Sequence, residues 1–133
     1  MRPLVAALVL AAVLAGCGTP SPDLFVVDRS GPDRNANVEL LVNDGGSVTC
    51  NGDKHPLDAD RLLKARQLER DLEPQAELGI QLPEGPGTDL SYRVRMEGGT
   101  VAFSDRSAGV PNTFQRLAAF TKDVTERVCG IER

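Results

Sequence analysis

The chain has 133 residues, room for one domain, and its 41% apolar content is typical of a globular protein. One Tyr, four Phe and no Trp leave few flat surfaces for stacking bases or sugars, so the core is expected to rest on Leu, Val and Ala. The net charge of −4 excludes nucleic acid as a partner, which requires a clustered basic surface, and offers nothing to anionic headgroups.

Met1-Arg2-Pro3 is a short basic start, and Leu4 to Leu14 is an unbroken run of eleven apolar residues. A spanning helix needs roughly 20 apolar residues, so the run fits the hydrophobic region of an export signal. Leu14-Ala15-Gly16-Cys17 follows directly and resembles the lipobox of bacterial lipoproteins, in which small residues precede a cysteine. The resemblance implies diacylglyceryl transfer to the Cys17 thiol, cleavage before Cys17, and further acylation. It predicts residues 1–16 as a lipoprotein signal peptide and a palmitate-class anchor on Cys17. The membrane is then a partner through that lipid, on the extracytoplasmic face. Two or more acyl chains are needed to hold a protein stably. Residues 17–23, with Pro20 and Pro22, read as the lipidated Cys and a short extended tether. Residues 24–133 read as a single globular domain.

From Cys17 onward the chain carries fourteen basic and nineteen acidic side chains, a net −5. Cys50 and Cys129 remain after Cys17, and two leftover cysteines in an oxidising compartment are expected to pair. A redox pair or metal ligation are the alternatives, but there is no Cys-x-x-Cys spacing and no second Cys close to either one.

In chain order, Leu24 to Asp28 reads as a strand ended by Ser30-Gly31-Pro32. Asp33, Asn35 and Asn37 then alternate oxygen ligands like the start of a calcium loop. The glycine of the sharp turn is replaced by Val38 and the twelfth position is Asp44, so an ordinary connection is the better reading. Val38 to Val42 and Ser47 to Cys50 flank Asn43-Asp44-Gly45-Gly46 and make a hairpin with Cys50 facing inward. His55, the sole histidine, is expected in a solvated loop.

Asp58 to Glu73 reads as a helix, with Asp58 as N-cap, Leu57 and Leu62 as a hydrophobic staple and Pro74 as the stop. Its apolar stripe is Leu62, Ala65, Leu68 and Leu72, with Leu63 off it. The Asp58-x-Asp60 carboxylates are accounted for by capping and the helix dipole. Pro74 to Leu90 is rich in Pro and Gly, with Leu78, Ile80 and Leu82 alternating. It is either a functional loop or an extended segment along a sheet edge.

Tyr92 to Glu97 alternates Tyr92, Val94 and Met96 with Arg93, Arg95 and Glu97, a strand with one wet face. Gly98-Gly99 is read as its turn and Thr100 to Phe103 as the return strand. Arg93 and Arg95 could grip an anion on the outer face; a solvated face is the plainer reading. Asn112 is expected to cap a second helix, with Gln115 at its third position, a stripe of Phe114, Leu117, Ala118, Thr121, Val124, Thr125 and Val128, and Gly130 as its end. The fold class is therefore α+β: an antiparallel sheet of about five strands with two helices on one face, in the order β-ββα-ββα.

No Gly-x-Ser-x-Gly elbow, phosphate loop, zinc spacing or haem motif is present, so no catalytic residues, metal or cofactor are assigned and a non-enzymatic domain is expected. Val48-Thr49-Cys50-Asn51-Gly52, Leu82-Pro83 with Gly85-Pro86-Gly87, Tyr92-Arg93-Val94-Arg95, Gly99-Thr100-Val101 with Phe103, Phe120-Thr121 and Val128-Cys129-Gly130 resemble a group of small actinobacterial lipoproteins of unassigned activity. That resemblance implies the export route and the Cys50–Cys129 pairing. Thr49-Cys50 and His55-Pro56 ahead of a helix carry a thinner similarity to secreted subtilisin inhibitors. It implies protease inhibition through residues 74–90, but that family has two disulfides and a Cys-bounded loop absent here. The expectation for function is thus an anchored envelope domain that binds another envelope protein or a ligand. Serine protease inhibition and carriage of a small hydrophobic ligand are the alternatives.

Overall fold

The computed structural model describes residues 18–133. The signal segment and Cys17, on which the export and lipid readings fall, lie outside the described residues.

The sheet has six antiparallel strands in the spatial order β4-β3-β2-β1-β5-β6. In chain order they are β1 (Asp23–Ser30), β2 (Val38–Asn43), β3 (Ser47–Cys50), β4 (Asp53–Pro56), β5 (Ser91–Met96) and β6 (Gly99–Ser104). Two helices follow the two groups of strands, α1 (Ala59–Glu77) after β4 and α2 (Asn112–Arg127) after β6. The α+β class stands, with one strand more than the five expected. The added strand is β4, which pairs with β3 through Cys50↔Asp53 to Ser47↔Pro56. The two-residue turn between them is Asn51-Gly52, with φ of 49° and 90°. Both positions lie in the left-handed region, where Asn and Gly are the least strained residues. Asp53-Lys54-His55-Pro56 shows no apolar alternation because it is a short edge strand whose Asp53, Lys54 and Pro56 are exposed. His55 therefore lies half-buried in a strand opposite Val48, and not in a loop.

Period-2 alternation sends one face of each inner strand into the core. Phe25, Val27, Val38, Leu40, Val42, Val48, Cys50, Tyr92, Val94, Val101 and Phe103 are all buried. The helices close over that face with Ala65, Leu68, Leu72 and Ala76 from α1 and Phe114, Leu117, Phe120 and Val124 from α2. Despite their small number, the aromatics organise this core. Phe103 stacks on Tyr92 at a centroid distance of 4.8 Å and on Phe114 at 4.9 Å, while Phe25 meets Phe120 edge-on. Such pairs add a little beyond their buried area. Leu63, off the apolar stripe, is 60% exposed.

Several boundaries differ from the sequence reading. Helix α1 runs through Pro74 to Glu77. The amide missing at Pro74 would have bonded the Arg70 carbonyl; both residues are exposed, so water can take that acceptor. The turn after β5 is Glu97-Gly98, since Met96 pairs with Gly99, and Gly99 belongs to β6. Pro111, not Asn112, occupies the N-cap of α2 and no side chain caps it. Its φ of −59° already suits a helix start, and its carbonyl accepts from Phe114 and Gln115. The Gln115 side chain, through Nε2, donates to the Val110 carbonyl.

Candidate functional site

The two ends of the sheet are built differently. At one end, β1 begins beside the β2–β3 turn. Asn43 Nδ2 donates to the Ser21 carbonyl at 2.8 Å and Asp44 N–H donates to the Pro22 carbonyl at 2.9 Å. The chain leading into β1 is thus tied down from Ser21 onward. At the other end of the sheet, the 3₁₀ turn Arg34–Ala36 connects β1 to β2, and the last residues of the chain fold back upon it. Asn35 Nδ2 donates to the Glu132 carbonyl at 2.7 Å, and Arg133 bridges Asp33 and Asp89.

Cys50 and Cys129 come together at this second end, within bonding distance and with Cα atoms 6.3 Å apart. That separation is ordinary for a disulfide. The pairing ties β3 to the residues just beyond α2, whose last turn bonds Cys129 N–H to the Val124 carbonyl.

Beside it lies a feature absent from the sequence reading. Strand β1 extends two residues past Asp28, so the alternation Phe25, Val27 continues inward to Arg29. Arg29 is 4% exposed. Its Nε donates to the Ala36 carbonyl at 3.0 Å, one terminal nitrogen to the Asn35 carbonyl at 2.9 Å, and the other to Thr125 Oγ1 at 3.4 Å. Among the described residues no carboxylate reaches salt-bridge distance of it. Burial consequently lowers its pKa, with the nearby Arg133 charge acting in the same direction. Tyr92, on the adjacent β5 and paired with Arg29 in register, is 5% exposed. Burial raises its phenol pKa, and its hydroxyl has no hydrogen-bond partner among the described residues. Arg29 and Tyr92 line an open pocket of about 540 Å³, with Leu90 and Ala118 on its apolar side and Lys122, Glu126, Asp33 and Arg133 around its rim. The signal for this site was available in the β1 alternation, had the strand been carried past Asp28.

The other candidate residues are dispersed. Asp33, Asn35 and Asn37, grouped in the calcium-like segment, point to three different partners: Arg133, Glu132 and the Gly31 amide. Asp58 caps α1 through the Arg61 amide at 2.9 Å and pairs with the Arg61 side chain. The Arg61 amide bond is the first cause of its lowered pKa. Arg95 is bound to Asp28 at 3.1 Å on the outer face, and Arg93 lies opposite Asp28 in register. Ser104 and Ser107 form a buried hydroxyl network with Thr88. His55 stands on β4 at the opposite edge of the six-stranded sheet, five strand spacings or about 24 Å away, so these serines have no imidazole base.

Residues 74–90 divide between helix and sheet edge. Ile80 and Leu82 exchange backbone hydrogen bonds with Ala102 of β6, with Gln81 bridging in parallel. This is the edge-lining alternative, and it shields β6 from further pairing. Ser107 Oγ donates to the Pro83 carbonyl and Thr88 Oγ1 to the Gly85 carbonyl, which hold the remaining turn. A second open groove, of about 350 Å³, runs between the helices along Leu68 and Phe120. Among the described residues no helix is long and apolar enough to cross a membrane, and no group of three His, Cys, Asp or Glu side chains is placed to hold a metal ion.

No protein-family model, curated protein or solved structure matches the chain.

Proposed function

We propose that this chain is a bacterial lipoprotein, anchored through lipid on Cys17 at the extracytoplasmic face of the membrane, that presents a small non-enzymatic binding domain. The observation that carries the reading is the apolar run from Leu4 that ends in Leu14-Ala15-Gly16-Cys17. The first backbone fixed to the domain is Ser21, bonded by Asn43. Gly18, Thr19 and Pro20 alone intervene, so Cys17 lies within about 14 Å of Ser21 even when extended. A domain held that closely needs no tether of its own beyond the one the lipobox leaves.

The paired cysteines fit an oxidising compartment. The ligand site best supported is the Arg29 pocket, because it combines a concave shape, an apolar wall and polar groups left without full partners. It opens at the end of β1 opposite Ser21. Six residues separate Asp23 from Arg29, or about 20 Å of strand, so an anchor at Cys17 turns the pocket away from the bilayer.

The test is fractionation of cells expressing the wild type or Cys17→Ala, with palmitate labelling. Wild-type protein is expected in the membrane fraction and labelled, and Cys17→Ala soluble and unlabelled. Equal, unlabelled membrane association of both forms would sink the anchor.

A further inference from the structure

We propose that the pocket between β1, β5 and α2 binds a small soluble monocarboxylate. Its carboxylate would lie against Arg29 and Tyr92, and its short apolar body along Leu90 and Ala118.

A guanidinium carries five N–H donors. Three of those of Arg29 go to Ala36, Asn35 and Thr125, which leaves two without a protein acceptor among the described residues. The side chain is 4% exposed and lacks a carboxylate partner, so an anion entering the open pocket would supply acceptors that otherwise only water can supply. The Tyr92 hydroxyl, on the neighbouring strand and lining the same pocket, makes no hydrogen bond to the described residues and opens to solvent, so it is free to donate to a ligand. Two backbone carbonyls hold the guanidinium in place, so little ordering is needed when an anion arrives.

Charge and shape narrow the class. Carboxylate suits the planar guanidinium fork. Lys122 and Arg133 on the rim balance Glu126 and Asp33, so with Arg29 the pocket carries one net positive charge, which matches a monoanion. Leu90 and Ala118 offer apolar surface to a body of a few carbons. The choice of a soluble ligand over a lipid headgroup rests on the proposed anchor, which turns the pocket away from the bilayer. Anion binding itself does not, so the two readings fail separately.

Tyr92 is the sole tyrosine and there is no tryptophan, so intrinsic fluorescence reports on this pocket. The purified full-length chain in detergent micelles would be titrated with butyrate, butanol and inorganic phosphate at matched ionic strength. The expected result is a saturable change with butyrate alone, with half-saturation at about millimolar concentration. Lys122→Ala, an exposed rim change, should weaken it a few-fold. Arg29→Lys, which keeps the charge and loses donors, should weaken it about tenfold or more. If Arg29→Lys does not fold, Tyr92→Phe followed by calorimetry takes its place, with an expected loss of about tenfold. An unsaturable or absent response to butyrate, an equal response to butanol, a stronger response to phosphate, or full butyrate affinity in the folded Arg29 or Tyr92 variant would overturn the proposal. Binding to phosphatidylglycerol vesicles in preference to butyrate would overturn the soluble source.

Discussion

Arg61 on α1 donates to the Asp123 carboxylate on α2 at 2.7 Å, and the same guanidinium grips Asp58 at the head of its own helix. A second clasp, Arg116 to Asp71 at 2.7 Å, ties the same two helices about three turns further along α1. The side-chain bond from Arg61 is the first cause of the lowered Asp123 pKa, and that from Arg116 the first cause for Asp71.

Carboxylates held below their ordinary pKa of 3.8 bind protons more readily when unfolded. Their stabilisation is therefore present above the unfolded value and lost as pH falls through the lower folded value. Thermal melting followed by circular dichroism should drop as the solution is taken below about pH 4. Asp123→Asn should flatten that drop, and salt should weaken the wild-type effect because these groups are partly exposed. An unchanged acid limb in Asp123→Asn would remove the clasp from the explanation.

Tyr92 provides the opposite limb. Burial holds its phenol above the ordinary 10.0, so the unfolded chain loses this proton first as pH rises. Stability is full below the unfolded pKa and declines as pH climbs through the raised one. Phenolate absorbance, uncontaminated because no other tyrosine exists, should titrate above the free amino acid in the native protein and return to it in denaturant. Titration at the free value in the native state would contradict the burial.

The Cys50–Cys129 pair spans 79 residues, and closing a loop of that size stabilises by about 4 kcal/mol on chain-entropy reasoning. Reductant should lower the melting temperature by a margin that Cys50→Ser, Cys129→Ser and the double variant all share. Each single variant should also expose one new thiol. A reductant-insensitive wild type with two titratable thiols in denaturant would show the pair unformed.

Gly99 sits beneath the end of α1 with φ of 146°, where an added Cβ would lie 2.1 Å from the Ala76 carbonyl oxygen. That neighbour is backbone and cannot swing aside. Gly99→Ala should therefore cost about 2 kcal/mol or more, while Gly18→Ala, in open space, should leave melting unchanged.

Most of the fold was legible because inner strands and helices carry their burial in their periodicity. Tyr92, Val94 and Met96 announced β5, and Ala65, Leu68 and Leu72 announced α1. Strand β4 was hidden because an edge strand needs no apolar face, although Asn51-Gly52 marks its turn clearly. Pro74 misled because its cost depends on which side of the helix it occupies, a fact of packing and not of sequence. Arg29 escaped notice for the opposite reason: its chemistry reads as surface until the strand is extended and the residue turns inward. The Cys50–Cys129 pairing could be anticipated from cysteine arithmetic, whereas the pocket required both helices in place.

Intact mass spectrometry of the protein extracted from membranes is the decisive measurement for the anchor. A lipid-anchored protein should begin at Cys17 and be heavier than its sequence by a diacylglyceryl group with or without a further acyl chain. A chain retaining residues 1–16, or one cleaved elsewhere with Cys17 unmodified, would contradict it.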